Sequence, residues 1–330
     1  MTPPPHHGPD GRFANPWPGA SPQPFSALLR WWRERRAAGR PADPPRGSFA
    51  VAKPSIELAR RPDELALTWI GHSAALLEIA DRRVLFDPML GEFAAPFPVS
   101  SLRRWVPPTP SLGQLPPVDL ICLSHNHYDH LDRGSVRQLA ARWPDVPWLA
   151  PLGLAALLRR LGVRRVEELD WWDRIEMAGL EIGATPAQHF SARTPWDRNR
   201  SLWCGFVVGA ADRRVYFAGD TGYHPEFGAI GQRWGPFDLA MFPIGAYEPR
   251  WFMRAVHLDP TEAIEAYRAL DPGGRAVFVA IHWGTFKLTD EPLDEPPRRL
   301  GREWLEAGLP TDRLWIPTHG ETRVMSGDRR

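Results

Sequence analysis

Ser124-His125-Asn126-His127-Tyr128-Asp129-His130 follows directly on Val118 to Leu123, an apolar run that reads as a buried strand. Three histidines and an aspartate crowd into this exit. A plain loop gains nothing from such crowding, because clustered imidazoles repel one another when protonated and need partners when buried. Coordinating metal ions removes both difficulties, since neutral imidazole and carboxylate are good ligands. Strand exits are also where layered α/β folds place their sites. In an extended exit loop His125 and His127 project to one side and can share one ion, while Asp129 and His130, at the turn into the next helix, face a second.

Two ions need further ligands from distant strand ends. His189 closes the run Ala184-Thr185-Pro186-Ala187-Gln188, Asp220 follows Val215-Tyr216-Phe217-Ala218-Gly219, and His282 follows Ala276 to Ile281. Each is a suitable ligand just past an apolar strand. An aspartate can hold two ions about 3.5–4 Å apart, one on each oxygen. This reading assigns His125, His127 and His189 to one ion, Asp129, His130 and His282 to the other, and Asp220 to both.

Working outward, β-rich runs are expected at Leu65 to Ile70, Ala74 to Ile79 and Val84 to Phe86 before the histidine segment. Others follow it at Ile175 to Met177, Leu180 to Thr185, Leu202 to Val208, Val215 to Ala218, Leu239 to Pro243 and Ala276 to Ile281. Helices are expected from Ser135 to Trp143 behind an Asp132 cap, from Leu152 to Leu161 ending at Gly162, and from Thr261 to Leu270 behind Asp259-Pro260. Strands interleaved with helices imply a layered α/β body over residues 55–330. No repeat of fixed period is visible, although a duplication can be silent in sequence. Residues 1–54 are rich in proline and read as an extension strapped onto that body. It carries one amphipathic helix from Phe25 to Arg36, either docked on the body or lying in a membrane interface.

Composition bounds the rest. A hydrophobic share of 43% in 330 residues supports a substantial core, and a formal net charge of +1 gives no global field for nucleic acid. No nucleic-acid partner is expected. Two cysteines, Cys122 and Cys204, lie in apolar runs and make no disulfide framework. The segment from Met1 to Arg12 has no signal-peptide core, and no apolar run approaches the roughly 20 residues of a bilayer span. The expectation is a cytoplasmic protein, in peripheral contact with a membrane if the N-terminal helix lies there.

The histidine segment with its distal His, Asp and His resembles the metallo-β-lactamase superfamily. Surrounding stretches narrow the resemblance to the N-acyl-phosphatidylethanolamine-hydrolysing phospholipase D family. They are Thr68 to His72, Ser124 to Asp132, Glu168 to Trp172, Phe217 to Tyr223, Pro243 to Met253 and Ile281 to Phe286, with Gly11-Arg12-Phe13, Asn15-Pro16-Trp17 and His319-Gly320-Glu321 at the two ends. The resemblance implies an αββα sandwich of two mixed sheets flanked by helices. It further implies two Zn2+ per chain at one edge, a phospholipid substrate, release of N-acylethanolamine and phosphatidic acid, and a homodimer. The chain departs from the pattern after His189, where Phe190-Ser191-Ala192-Arg193 stand in place of the Trp and Cys expected in animal relatives.

The remaining candidates concern substrate. Arg250 can hold a phosphate bidentately, and Trp251-Phe252-Met253 beside it suit a lipid-facing mouth. His257 can hydrogen-bond a phosphate oxygen or protonate the leaving alkoxide, so it joins Asp220 in the catalytic set. His72 and Asp87 are placed to orient ligand imidazoles, and His319 at the rim. His6, His7 and His224 read as ordinary surface residues. Two other functions fit less of the pattern: a lactonase or other small-substrate hydrolase on the same site, and a lipid- or metal-binding protein without turnover.

Overall fold

The computed structural model describes residues 4–24, 26–39, 41–54 and 64–325. Phe25, at the start of the expected N-terminal helix, and residues 55–63, at the start of the expected body, lie outside them. The first sheet contains β1 (Leu65–Gly71), β2 (Ala74–Ile79), β3 (Arg82–Phe86), β4 (Leu120–Cys122), β5 (Trp148–Pro151) and β6 (Val166–Leu169). The second runs in chain order through β7 (Arg174–Met177), β8 (Leu180–Thr185), β9 (Gly205–Ala210), β10 (Arg213–Phe217), β11 (Leu239–Pro243), β12 (Val277–Ile281) and β13 (Leu314–Trp315). The last strand, β14 (Thr322–Met325), returns to the first sheet and pairs with β1.

Each sheet has seven strands, and each passes from three antiparallel pairings to three parallel ones. That repeated plan is the duplication that no sequence period reveals. The sheets pack face to face: Leu67, Leu77 and Phe86 from one meet Ile182, Val208, Met241 and Val279 from the other in a single apolar cluster. The outer face of the first sheet is covered by α2 (Arg133–Arg142) and α3 (Ala155–Arg160) through Val136, Leu139 and Leu158. The second is covered by α4 (Phe227–Trp234), α6 (Pro260–Leu270) and α7 (Glu295–Glu306) through Ile230, Tyr267 and Trp304. With both faces covered, β1, β2, β11 and β12 are buried at every position, which is why they read as unbroken apolar runs. This is the αββα architecture that the resemblance implies.

The caps expected from sequence are in place. Asp132 accepts the Ser135 amide at 2.7 Å and Asp259 accepts that of Glu262 at 2.9 Å, each worth about 1 kcal/mol. Strand β9 starts at Gly205 and not at Leu202, because the Leu202 and Cys204 amides donate to Leu152 and Ser124 of the opposite sheet's loops. The short or long-range elements β5, β6, β13, β14, α4 and α7, and the four-residue α5 (Arg250–Met253), are absent from the sequence reading.

The described residues before β1 contribute no strand to either sheet. Helix α1 (Ala27–Ala38) docks by one flank only. Trp31 and Arg35 donate to Asp290, and Trp251 Nε1 donates to Glu34 at 2.9 Å. Leu29 and Trp32 stay about half exposed, at 54% and 53%. No helix among the described residues is long and apolar enough to cross a membrane.

His224 corrects the sequence reading, since it is buried and sandwiched between Trp17 at 4.8 Å and Phe227 at 4.0 Å. Neither ring nitrogen has a hydrogen-bond partner, and burial pulls the group down to about 3. Between pH 6.5 and 3 the unfolded chain takes up a proton that the folded chain refuses, so stability present above pH 6.5 is lost as pH falls. From an unfolded value of about 6.5 this loss is ~1.4 kcal/mol at pH 5.5. His224→Phe should therefore flatten the fall in Tm between pH 7 and 5.5. Parallel melting curves for the two proteins would show that His224 is not a source of acid sensitivity.

Candidate metal centre

The exit of β4 carries His125 and His127, and the exit of β8 carries His189. His125 Nε2 lies 2.9 Å from His127 Nδ1, and His189 Nε2 lies 3.1 Å from the same atom. One imidazole nitrogen bears at most one proton, so hydrogen bonding leaves this trio of nitrogens unsatisfied, whereas lone pairs converging on a cation satisfy all of them. Zinc–nitrogen bonds of about 2.0–2.1 Å in a tetrahedron place nitrogens roughly 3.3 Å apart, close to the observed spacing.

A second group gathers around Asp129. Its Oδ2 is 2.9 Å from His72 Nε2, 3.5 Å from His282 Nε2 and 3.6 Å from His130 Nε2. Asp220, past the end of β10, sits between the two groups. Its Oδ2 is 3.1 Å from His130 Nε2, 3.2 Å from His282 Nε2, and 3.8 and 3.9 Å from His189 and His125 Nε2. His130 Nε2, His282 Nε2 and Asp220 Oδ1 are buried without a hydrogen-bond partner. Such orphans cost about 1–3 kcal/mol each, and here they surround a common space. The donor set fits divalent cations: a His/Asp cluster that could hold metal.

Second contacts fix the rings. Asp87, buried after β3, accepts from the Ser124 amide at 2.7 Å and the Ser124 hydroxyl at 2.6 Å, and its Oδ2 is 2.6 Å from His130 Nδ1. Ser124 Oγ in turn is 2.9 Å from His125 Nδ1. His189 Nδ1 donates to the Val256 carbonyl at 2.8 Å, which leaves its Nε2 lone pair for the centre. His72 and His282 adopt left-handed φ of 57° and 62°, a conformation that costs of order 1–3 kcal/mol and recurs at functional sites. Gly219, at φ 63°, admits Asp220, since a Cβ there would stand 2.9 Å from both the Ser124 Cβ and the Cys204 carbonyl oxygen.

The electrostatics divide the histidines. Burial, reinforced by neighbouring imidazoles, pulls His125 well below its ordinary value. Burial also pulls His127 to about 3 and His189 to about 4, so all three are neutral and able to ligate. Burial opposes protonation of His130 and His282 too, but the carboxylates of Asp220 and Asp129 win, holding His130 well above its ordinary value and His282 at about 9. Against the same burial, His130, His282 and His257 hold Asp220 well below the carboxylate range. The carboxylates of Asp129 and Asp220, both held below their ordinary range, give the centre the negative charge that cations would neutralise.

The family model described as Beta-lactamase superfamily domain matches residues 82–283. The chain belongs to that superfamily. An uncharacterised protein of Mycobacterium tuberculosis is 41% identical over 81% of this chain and 70% of its own length. N-acyl-phosphatidylethanolamine-hydrolyzing phospholipase D 1 of Caenorhabditis elegans is 37% identical over 74% of this chain and 70% of its own. The mitochondrial yeast protein of the same name is 34% identical over 77% and 55%. Among solved structures, an isothiocyanate hydrolase from Delia radicum gut bacteria superposes with a TM-score of 0.64 at 26% identity, over 79% of this chain and 99% of that one. The chain is thus a metal-dependent hydrolase of the β-lactamase superfamily.

Around this hydrolase's centre, His257 Nε2 lies 3.9 Å from Asp220 Oδ2, and its Nδ1 is buried without a partner. Arg250 Nη2 donates to Glu262 at 2.5 Å and Nη1 to the His257 carbonyl at 3.0 Å. These two bonds make it a brace for His257, while its side chain keeps 24% exposure. Met253 is buried, and Trp251 is taken up by Glu34 and by Arg30 over its ring. Of that cluster Phe252 alone lines an apolar cavity of about 170 Å³, with Leu28, Phe190 and Val256. Phe190 lies 4.5 Å from the His127 ring, so the cavity abuts the centre.

His319 is also displaced from its expected place. It is buried behind the centre, against Trp69, with Nε2 3.0 Å from Thr285 Oγ1, which accepts the His72 amide. Two residues escaped the sequence reading of the site. Ser124 links Asp87 to His125, and Asn15 brackets His189: its Nδ2 donates to the His189 carbonyl at 2.9 Å and its Oδ1 accepts the His189 amide at 3.2 Å. The Asn15-Pro16-Trp17 motif was the one available signal for the second.

Proposed function

We propose that the protein is a two-zinc phosphodiesterase of phospholipase D type, which hydrolyses N-acyl-phosphatidylethanolamine to N-acylethanolamine and phosphatidic acid. The observation that carries this reading is the meeting of two ligand groups at Asp220 Oδ2, in a chain similar to two proteins named for that substrate. His125, His127 and His189 would hold one ion, Asp129, His130 and His282 the other, and Asp220 both. Bound there, two zinc ions would lower the pKa of a water to about 7 and neutralise charge on the phosphoryl group.

The chain's own residues do the rest. Asp87, Ser124 and the Val256 carbonyl hold the ligand rings in their working tautomers. Burial drives His257 well below its ordinary value, so it stands neutral, with an N–H to offer a phosphoryl oxygen or the leaving alkoxide. The cavity of Phe190, Phe252, Leu28 and Val256 would take part of an acyl chain. Exposed Leu29 and Trp32 of α1 would rest on the membrane that supplies it. A small-substrate hydrolase remains the second reading, favoured by the likeness to the isothiocyanate hydrolase.

Turnover of N-acyl-phosphatidylethanolamine in oxygen-18 water separates the possibilities. Label is expected in the phosphate of phosphatidic acid, with unlabelled N-acylethanolamine. Label in a free fatty acid would mean acyl cleavage. No phospholipid turnover, with rapid hydrolysis of a lactone or an isothiocyanate, would establish the second reading.

A further inference from the structure

His6 and His7 are not the surface residues that the sequence suggests. His6 is buried, with its ring stacked on Trp171 at 4.2 Å, and His7 packs edge-on against Phe13 at 5.1 Å. Both rings turn toward one carboxylate: His6 Nε2 is 2.7 Å from Asp170 Oδ1, and His7 Nε2 is 2.8 Å from Asp170 Oδ2. Ligand atoms of the three residues lie within 4.8 Å of one another, and none of the three belongs to the centre around Asp220.

We propose that His6, His7 and Asp170 form a separate site for a divalent transition-metal ion, zinc by its donor set, which locks the N-terminal strap onto the body. Two imidazoles and one carboxylate are borderline donors of the kind zinc takes. The side chains of His7 and Asp170 keep 29% and 20% exposure, which leaves an entry path and an open coordination position for water. In the tautomer that carries its proton on Nδ1, each ring turns an Nε2 lone pair to the ion.

Locking the strap matters because of what it carries. Arg12 donates to the Arg198 carbonyl, the Phe13 amide donates to Asn199 at 2.8 Å, and Asn15 brackets His189. Trp17 stacks on Trp171, the neighbour of Asp170, at 5.6 Å. An ion held at the strap's first turn thereby steadies both the loop beside the catalytic centre and the backbone of one of its candidate ligands.

The test uses the untagged full chain and its His7→Gln variant, whose amide can still donate to Asp170 but whose coordinating nitrogen is gone. After equilibration with buffered free zinc, metal analysis should find about one ion more per chain in the native protein than in the variant. At free zinc ten times the site's Kd, tryptic cleavage after Arg12 should slow by about tenfold in the native protein and not in the variant. Asp170→Asn, which keeps an acceptor but loses the charge, should match His7→Gln. Equal metal contents and equal protection in all three would overturn the proposal, and because only the difference is read, the number of ions at the other centre does not enter.

Discussion

Asp220→Asn should lower kcat/KM by at least about a thousandfold, a loss of ~4 kcal/mol in transition-state stabilisation, while leaving the far-ultraviolet spectrum unchanged. The carboxylate oxygen Oδ2 is the single atom shared by the two ligand groups, between 3.1 and 3.9 Å from the Nε2 atoms of His130, His282, His189 and His125. An amide of the same shape keeps the packing but removes the negative charge that raises His130 and His282 and that would bridge two cations. It also turns either an N–H or a weaker neutral oxygen toward the centre. Metal content should fall with activity, from about two ions at this centre to about one or fewer. Native-like metal content, or kcat/KM within threefold of the native protein, would remove Asp220 from the bridging role.

Asp87→Asn should produce the second largest loss, and of a different kind. Asp87 never faces the centre. Its two oxygens take the Ser124 amide and hydroxyl and His130 Nδ1, and through Ser124 it reaches His125. An asparagine can accept the Ser124 amide as before, but its NH2 then confronts His130 Nδ1. The ring must shift its proton to Nε2 and lose the lone pair aimed at the centre. Metal affinity should therefore fall about 10- to 100-fold, with activity restored in large part by raising free zinc. The same titration should not rescue Asp220→Asn. Rescue of both, or of neither, would mean that Asp87 and Asp220 do not act at different removes from the metal.

The local part of this protein is legible in its sequence. His125, His127, Asp129 and His130 sit where a strand read from its apolar run gives way to a loop, and β8, β11 and the caps at Asp132 and Asp259 fall at or within a residue of their expected places. The distal candidate ligands are legible for the same reason: His189, Asp220 and His282 each stand just past an apolar run. Strands such as β5 and β14 escaped because a few residues carry too little periodicity, and β14 acquires its partner only when the chain returns to β1.

Side-chain destinations were another matter. Arg250 invited a phosphate-binding role by its neighbours, and nothing near it in sequence announces the bond from its Nη2 to Glu262, twelve residues on. His6 and His7 stand in a polar, proline-rich stretch and find Asp170 more than 160 residues away. Sequence by itself determined which residue types stand at strand ends, because ligand chemistry and strand periodicity are properties of a few adjacent residues. Tertiary structure alone decided which polar groups meet, since that depends on how two seven-stranded sheets and an N-terminal strap pack, and a buried charge takes whichever partner the packing brings within about 3 Å.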